Sequence, residues 1–341
     1  MKIIKRKINV AINGFGRIGR NGLKVAMEKS RINVVAVNDL CDAKTLAHLL
    51  QYDTVYGKYH HQVRSDGAFL VIGKQKIPVF AHKEPESLPW KKLRVDVVLE
   101  CTGAFTDEQG ASRHLLAGAK SVIISAPAKG GNISTFVRGV NSGDLKKRKQ
   151  TEPIIISNAS CTTNCISPVI EILHSEFGVK KALMTTVHGY TADQNLQDGP
   201  HRDIRRARAA GENIVPTTTG AAIATTETIP ELKGKFDGLA IRVPVPVVSL
   251  ADITAVLKKK VTVHEINKIF VRASQSARYR DILAITDEQL VSSDFIGDPH
   301  SAIVDLSLTQ VVGDDLVKVI AWYDNEWGYA NRLVEMVEDL V

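Results

Sequence analysis

The run Gly14-Phe-Gly-Arg-Ile-Gly19 constrains this chain more than any other. It follows a short apolar stretch, Ile8-Asn-Val-Ala-Ile-Asn13, and opens a segment that continues as a helix from Arg17 to Lys29. In that setting the first glycine permits a tight turn and the second lets the backbone approach a pyrophosphate. The helix start, with Arg17 and Ile18 in its first turn, adds open N–H groups and a positive dipole. Gly14, Gly16, Arg17 and Ile18 are therefore candidate cofactor residues. The next run, Ile32-Asn-Val-Val-Ala-Val37, is a β-branched strand leading into Asn38-Asp39, about 20 residues beyond the last glycine. A carboxylate there accepts hydrogen bonds from both adenosine ribose hydroxyls and repels a 2′-phosphate, which favours NAD over NADP. The competing role for Asp39 is a cap for the helix that follows.

Further strands at Val95 to Glu100 and Ser121 to Ser125 flank a helical segment near Glu108 to Gly118. Strands alternating with helices predict an α/β fold with a Rossmann-type doubly wound parallel sheet. After about residue 150 the texture changes to long strand-like runs: Ala182 to Val187, Leu239 to Val243, Val247 to Leu257 and Leu316 to Tyr323. Few helices separate them. The expectation is an α+β catalytic domain with a mainly antiparallel sheet, backed by helices at Cys161 to Phe177 and Val263 to Ser276. Asn325 to Leu340 carries apolar residues at helical spacing.

A chain of 341 residues exceeds the size at which one core keeps growing, in keeping with two domains. No stretch approaches the roughly 20 apolar residues of a membrane helix, and the start, Met1 to Lys7, lacks an apolar signal core, so a cytoplasmic protein is expected. Four cysteines are too few for a disulfide framework and none forms paired zinc spacing with histidines, so no metal is expected. The net charge of +7 comes from 44 basic and 37 acidic residues interspersed along the chain, which reads as a solvated surface rather than a nucleic-acid face.

The most specific string is Ser157-Asn-Ala-Ser-Cys-Thr-Thr-Asn-Cys165. It places Cys161 at the start of the helix, where dipole and N–H groups stabilise a thiolate and can receive the oxyanion of an attacked carbonyl. Polar neighbours argue against a buried, inert thiol. Cys165, one turn on, is either a packed core thiol or an oxidative partner of Cys161, and the sequence leaves both open. His188 ends the apolar strand Ala182 to Val187 beside a polar loop; near its ordinary pKa it could hold the thiolate as an ion pair and exchange protons with a substrate. The alternative is a satisfied structural histidine.

Taken together, Gly14 to Arg20, Asn38-Asp39, Ser157 to Cys165, Thr185-Thr-Val-His188, Thr217-Thr-Thr-Gly-Ala-Ala222 and Trp322-Tyr-Asp-Asn-Glu-Trp-Gly-Tyr329 resemble, in order, the glyceraldehyde-3-phosphate dehydrogenase family, bacterial members above all. The resemblance implies that Cys161 attacks the aldehyde, that His188 takes the hydroxyl proton, and that a thioester is left for inorganic phosphate to open. It implies a site for that phosphate at Ser160, Thr162, Thr219 and Gly220, and one for the phosphate of glyceraldehyde 3-phosphate at Thr191 and Arg242. Arg206 and Arg208 add positive potential or make salt links. Lys83, Thr102 and Ser125 are expected to line the cofactor, Asn325 to orient the nicotinamide carboxamide, and Tyr329 to pack nearby. The implied domains are 1–160 with 326–341 for NAD and 161–325 for catalysis, in a homotetramer.

Three departures stand out. Gly199 replaces a usual leucine, which leaves NAD selectivity mainly to Asp39; Gly189 replaces a usual alanine, which could loosen the loop after His188; and Val243-Pro-Val-Pro-Val-Val248 lacks a usual threonine and asparagine. The rival readings are an erythrose-4-phosphate dehydrogenase and, from another class, an RNA- or partner-binding protein with a vestigial site.

Overall fold

Val10, Ala11 and Ile12 are fully buried, and the alternation of apolar strands with amphipathic helices around them builds the first of two units. The computed structural model describes residues 6–147 and 152–341. The basic start at Met1 to Lys5 and the change of texture at residue 150 lie outside the described residues. One unit comprises residues 1–136, 144–159 and 330–341, the other 137–143 and 160–329.

In the first unit the strands are β1 (Ile8–Asn13), β2 (Ile32–Asn38), β3 (Tyr52–Asp53), β4 (Gly57–Lys58), β5 (Val63–Ser65), β6 (Phe69–Ile72), β7 (Gln75–Phe80), β8 (Val97–Glu100), β9 (Ser121–Ile124), β10 (Ser134–Thr135) and β11 (Ile154–Ser157). Its helices are α1 (Arg17–Glu28), α2 (Ala43–Gln51), α3 (Trp90–Leu93) and α4 (Glu108–Leu116). Nine strands form one sheet in the order β10-β11-β9-β8-β1-β2-β7-β6-β5. All its pairings from β10 to β7 are parallel, as expected, and β5, β6 and β7 close one edge as an antiparallel meander. The order reverses at β1, so the crevice beyond its C-terminal end, where Gly14 sits, is the place where such sheets bind ligands.

The second unit holds β12 (Val179–Gly189), β13 (Val215–Thr217), β14 (Phe236–Val243), β15 (Ser249–Leu257), β16 (Leu283–Thr286), β17 (Ala302–Val312) and β18 (Leu316–Tyr323), with α5 (Cys161–Phe177), α6 (Ala221–Thr228) and α7 (Val263–Ser274). The seven strands run in the order β13-β14-β12-β15-β18-β17-β16. Most pairings are antiparallel, but β12 with β14 and β16 with β17 are parallel. Ile166, Val169, Ile170 and Leu173 of α5 are completely buried against the inner sheet face, together with Ala251, Ile253 and Ala255. α8 (Trp327–Leu340) ends the chain.

Several boundaries differ from the sequence reading for physical reasons. β15 begins at Ser249 rather than Val247 because Val248 has a left-handed φ of 69°, which breaks strand geometry. His188 lies at the end of its strand, and β12 runs one residue further, to Gly189 in register with Val243. β17 has no clean apolar alternation, and α6 is short and threonine-rich, so neither announced itself. Among the described residues no helix is long and apolar enough to cross a membrane.

Candidate active site

At the turn from β1 to α1 the glycines divide by role. Gly14 has a φ of 89°, and a Cβ there would lie 2.7 Å from the Cys101 carbonyl carbon and the Thr102 nitrogen. A Cβ on Gly19 would sit 2.1 Å from the Gly14 carbonyl oxygen. Gly16 is different: nothing lies within 4 Å of its Cβ position, so here the missing side chain leaves backbone open to a ligand. No side chain caps α1 at Gly16, as a helix start that receives an anion requires.

Asp39 is fixed by this turn. Its carboxylate accepts from the Phe15 N–H at 2.7 Å and from the Cys41 N–H at 2.9 Å. The capping role for α2 falls instead to Asp42, which accepts from the Thr45 N–H, so the competing reading of Asp39 fails. Gly14, Gly16, Asp39, Lys83 and Thr102 line one cleft of about 480 Å³. Ser125 follows β9, outside the cleft lining, and reaches the half-buried Cys101 thiol, which lines it. Arg17 and Ile18 occupy the first turn of α1, but the Arg17 guanidinium bonds Asp53 at 2.5 Å and lies over Tyr56. Beneath the cleft runs a set that sequence reasoning missed. The fully buried Glu100 carboxylate accepts from Asn13 Nδ2 at 2.6 Å, from the Thr102 N–H and hydroxyl, and from His114 Nε2 at 3.0 Å. Trp90 Nε1 donates to His114 Nδ1 at 3.0 Å, which leaves the ring proton on Nε2, facing Glu100.

In the second unit Cys161 is the first residue of α5, and Ser160 caps the helix by accepting from the Thr163 N–H at 3.0 Å. Ala159, with φ 55°, makes the turn immediately before. Cys161 Sγ lies 3.5 Å from His188 Nε2. His188 Nδ1 is 2.6 Å from the Gly189 carbonyl oxygen, which also accepts from Arg242 Nη1 at 3.1 Å; with its proton on Nδ1, donated to that carbonyl, the ring leaves Nε2 bare towards the thiol. Strand register places Arg242 beside His188, with Nη1 2.9 Å from Nδ1 and 3.4 Å from Thr191 Oγ1. The Arg242 Nε is buried without a hydrogen-bond partner, and burial pushes the guanidinium pKa down. An incompletely satisfied buried cation is a receptor for an anion.

Burial acts on both members of the pair. It raises the Cys161 thiol, opposed by the Arg242 charge and the helix-start N–H groups. It lowers His188 to about 3, aided by Arg242 and Arg206 and opposed by Gly189. The expectation of an imidazole near its ordinary pKa is therefore corrected: His188 standing alone is a neutral base. Moving the thiol proton to Nε2, however, creates opposite charges 3.5 Å apart, whose attraction is about 5 kcal/mol at an effective dielectric of about 20. That offsets part of the separate burial costs, so proton and charge are coupled within the pair.

The remaining candidates surround it. Thr162 is buried, its hydroxyl bonded at 2.8 Å to Tyr323 Oη, which also contacts Thr186 Oγ1 at 2.8 Å and packs edge-on to His188. Asn325 Oδ1 accepts from Ser249 Oγ at 3.0 Å, and Ser249 Oγ accepts from the Gly189 N–H at 3.2 Å, so the amide is oriented with its NH₂ outward from that bond. Sequence reasoning missed Tyr323 and Ser249; their signals were a tyrosine inside a known string and an unremarkable strand serine. Thr219 Oγ1 accepts from the Ala221 N–H at the start of α6, where Gly220 is exposed. Arg206 is tied to Asp193, Thr217 and the Thr218 carbonyl, and Arg208 to Asp198. Tyr329 is buried. Cys165 is fully buried among apolar residues, the packed thiol of the two readings. Gly189 does not loosen its loop: a Cβ there would lie 3.0 Å from the Val245 carbonyl, which instead accepts from the Tyr190 N–H at 3.1 Å.

Comparison with known proteins adds the family. Residues 8–108 match the family model for the glyceraldehyde 3-phosphate dehydrogenase NAD binding domain, and residues 160–325 that for its C-terminal domain. The chain is similar to glyceraldehyde-3-phosphate dehydrogenase of Geobacillus stearothermophilus, 50% identical over 96% of this chain and 97% of the relative. It is also similar to the enzyme of Mycobacterium avium, 52% identical over 97% of each. A third relative, glyceraldehyde-3-phosphate dehydrogenase 2 of Bacillus subtilis, is 49% identical over 97% of this chain and 96% of the relative.

Proposed function

Because the chain belongs to the glyceraldehyde-3-phosphate dehydrogenase family, we propose that Cys161 is its nucleophile, His188 its base and Arg242 its phosphate receptor. The chain is an enzyme of glycolysis that couples NAD-dependent oxidation of glyceraldehyde 3-phosphate to its phosphorylation. The observation that carries the residue assignment is the row Cys161, His188, Arg242, held by a helix start and two paired strands.

The cofactor site is assigned to the first unit: the Gly16 backbone and first turn of α1 for the pyrophosphate, Asp39 for the adenosine ribose, Lys83 and Thr102 along the cleft, and Ser125 through Cys101, which lines it. Asn325 is assigned the nicotinamide carboxamide. Bound NAD supplies the acceptor for the substrate's hydride. Cys161 Sγ adds to the aldehyde carbon as the thiol proton passes through His188 to the new hydroxyl. Loss of the hydride from carbon and of the hydroxyl proton to His188 Nε2 then leaves a thioester. An oxygen of inorganic phosphate, held by Ser160, Thr162, Thr219 and Gly220, attacks that carbonyl; the C–S bond breaks, the acyl phosphate departs, and His188 returns a proton to sulfur. Arg242 and Thr191 hold the substrate's own phosphate.

The outer face of the seven-stranded sheet exposes Leu183 and Leu239, and the loop after β12 exposes Leu196, Ile204 and Ile214. Such apolar surface supports a homo-oligomer, read here as a homotetramer working in the cytoplasm. Absorbance at the NADH band, with glyceraldehyde 3-phosphate, nucleotide and phosphate varied one at a time, tests the reading. Sustained NADH formation is expected only with all three. Equal turnover without phosphate, or a higher kcat/KM for the four-carbon aldehyde, would refute it.

A further inference from the structure

Far along α1 from the glycine turn, its last residue, Glu28, meets two consecutive histidines. His60 Nε2 lies 3.4 Å and His61 Nε2 3.7 Å from the same oxygen, Glu28 Oε1. All three atoms lie within 4.8 Å of one another. These separations are long for N–H···O hydrogen bonds, whose usual length is about 2.9–3.0 Å. They match co-ligands, because metal bonds of about 2.0–2.1 Å in a tetrahedral shell hold their ligand atoms roughly 3.4 Å apart. The rings of His60 and His61 are 4.2 Å apart between centroids, and both Nε2 atoms lie within 3.7 Å of the one Glu28 oxygen.

A second observation lies behind the histidines. Tyr59 is only 8% exposed, yet its hydroxyl has no hydrogen-bond partner. Its ring packs edge-on to His60 at 4.8 Å and to His61 at 5.3 Å. The phenol O–H is a hydrogen-bond donor. A donor of this kind serves a ligating carboxylate or a metal-bound water, the outer support that such sites need. His60 and His61 also line an open cleft of about 610 Å³, and Glu28 and His60 are exposed, so that solvent can supply a water in the fourth position. Lys24, with Nζ 5.4 Å from the Tyr59 ring, sets a nearby positive charge against the ion; the Glu28 carboxylate opposes it.

We infer that Glu28, His60 and His61 form a binding site for a divalent transition ion of the zinc class, with two imidazoles, one carboxylate and one open position. The ion would clamp the residue 59–61 turn to the end of α1. The ligand chemistry is nitrogen and oxygen on a borderline ion, which selects zinc over calcium or magnesium.

The test uses the full, tag-free chain with Cys161 blocked by iodoacetamide, which removes the reactive thiol as a competing ligand. Zn²⁺ is titrated against a chromophoric chelator. One Zn²⁺ per chain is expected, with His60→Ala, His61→Ala and Glu28→Gln each weakening binding at least tenfold. His48→Ala, which alters the same cleft outside the trio, leaves binding within twofold. Unblocked variants with parental dehydrogenase rates establish that each is folded. Absence of saturable Zn²⁺ binding, or binding unchanged in His60→Ala and His61→Ala, overturns the inference.

Discussion

Sulfur, imidazole and guanidinium sit in one row, and the middle member decides how the outer two behave. Burial raises the Cys161 thiol and lowers His188 to about 3, so neither charge is stable alone. His188→Asn keeps a side chain of similar polarity but removes the proton acceptor 3.5 Å from sulfur. The thiol then keeps only the upward push of burial, partly opposed by Arg242 and the helix start. The sign follows: a raised thiol pKa means less thiolate at neutral pH. Alkylation of Cys161 by iodoacetamide should fall at least tenfold at pH 7 and recover only as pH rises above the ordinary thiol value of 9.0. General-base loss should lower kcat by about 10²- to 10⁴-fold. An unchanged alkylation profile in the variant would separate the two residues.

At the level of elements, the β1–α1 turn separates fold from binding. Gly19→Ala forces a Cβ to within 2.1 Å of the Gly14 carbonyl, so the turn must open; a loss of several kcal/mol of stability is expected, on the order of an overpacked core. Gly16→Ala meets nothing within 4 Å and should leave thermal stability nearly unchanged while weakening NAD binding at least tenfold, since its methyl occupies the ligand's space. Paired thermal melts and NAD titrations check both; equal destabilisation by the two would contradict the division. This turn was legible because glycine spacing, strand and helix all speak locally, and α5 was legible to its end residues for the same reason. What stayed hidden depends on distant pairing. β17 reads as nothing until β18 lies beside it, β12 and β14 became a parallel pair only through the connection between them, and Tyr323 acquires meaning only between Thr162 and Thr186. The proton state of His188 was misjudged because a strand position says nothing of the guanidinium that register places next to it.

At the scale of the whole molecule, the exposed Leu183 and Leu239 belong to an outer sheet face that a lone chain would leave in water. Sedimentation of the purified protein should give about four times the 37.3 kDa chain mass, and Leu183→Lys should shift it towards smaller species; a monomer at micromolar concentration would contradict the assembly. The proposed reaction turns on a thioester on Cys161 that waits for phosphate. The most direct measurement is a single-turnover experiment with glyceraldehyde 3-phosphate and NAD, without phosphate, followed by mass analysis of the Cys161 peptide. The expected result is a burst of at most one NADH per chain, an acyl group on Cys161, and its release as acyl phosphate when phosphate is added. Undiminished NADH formation without phosphate and an unmodified Cys161 would contradict it.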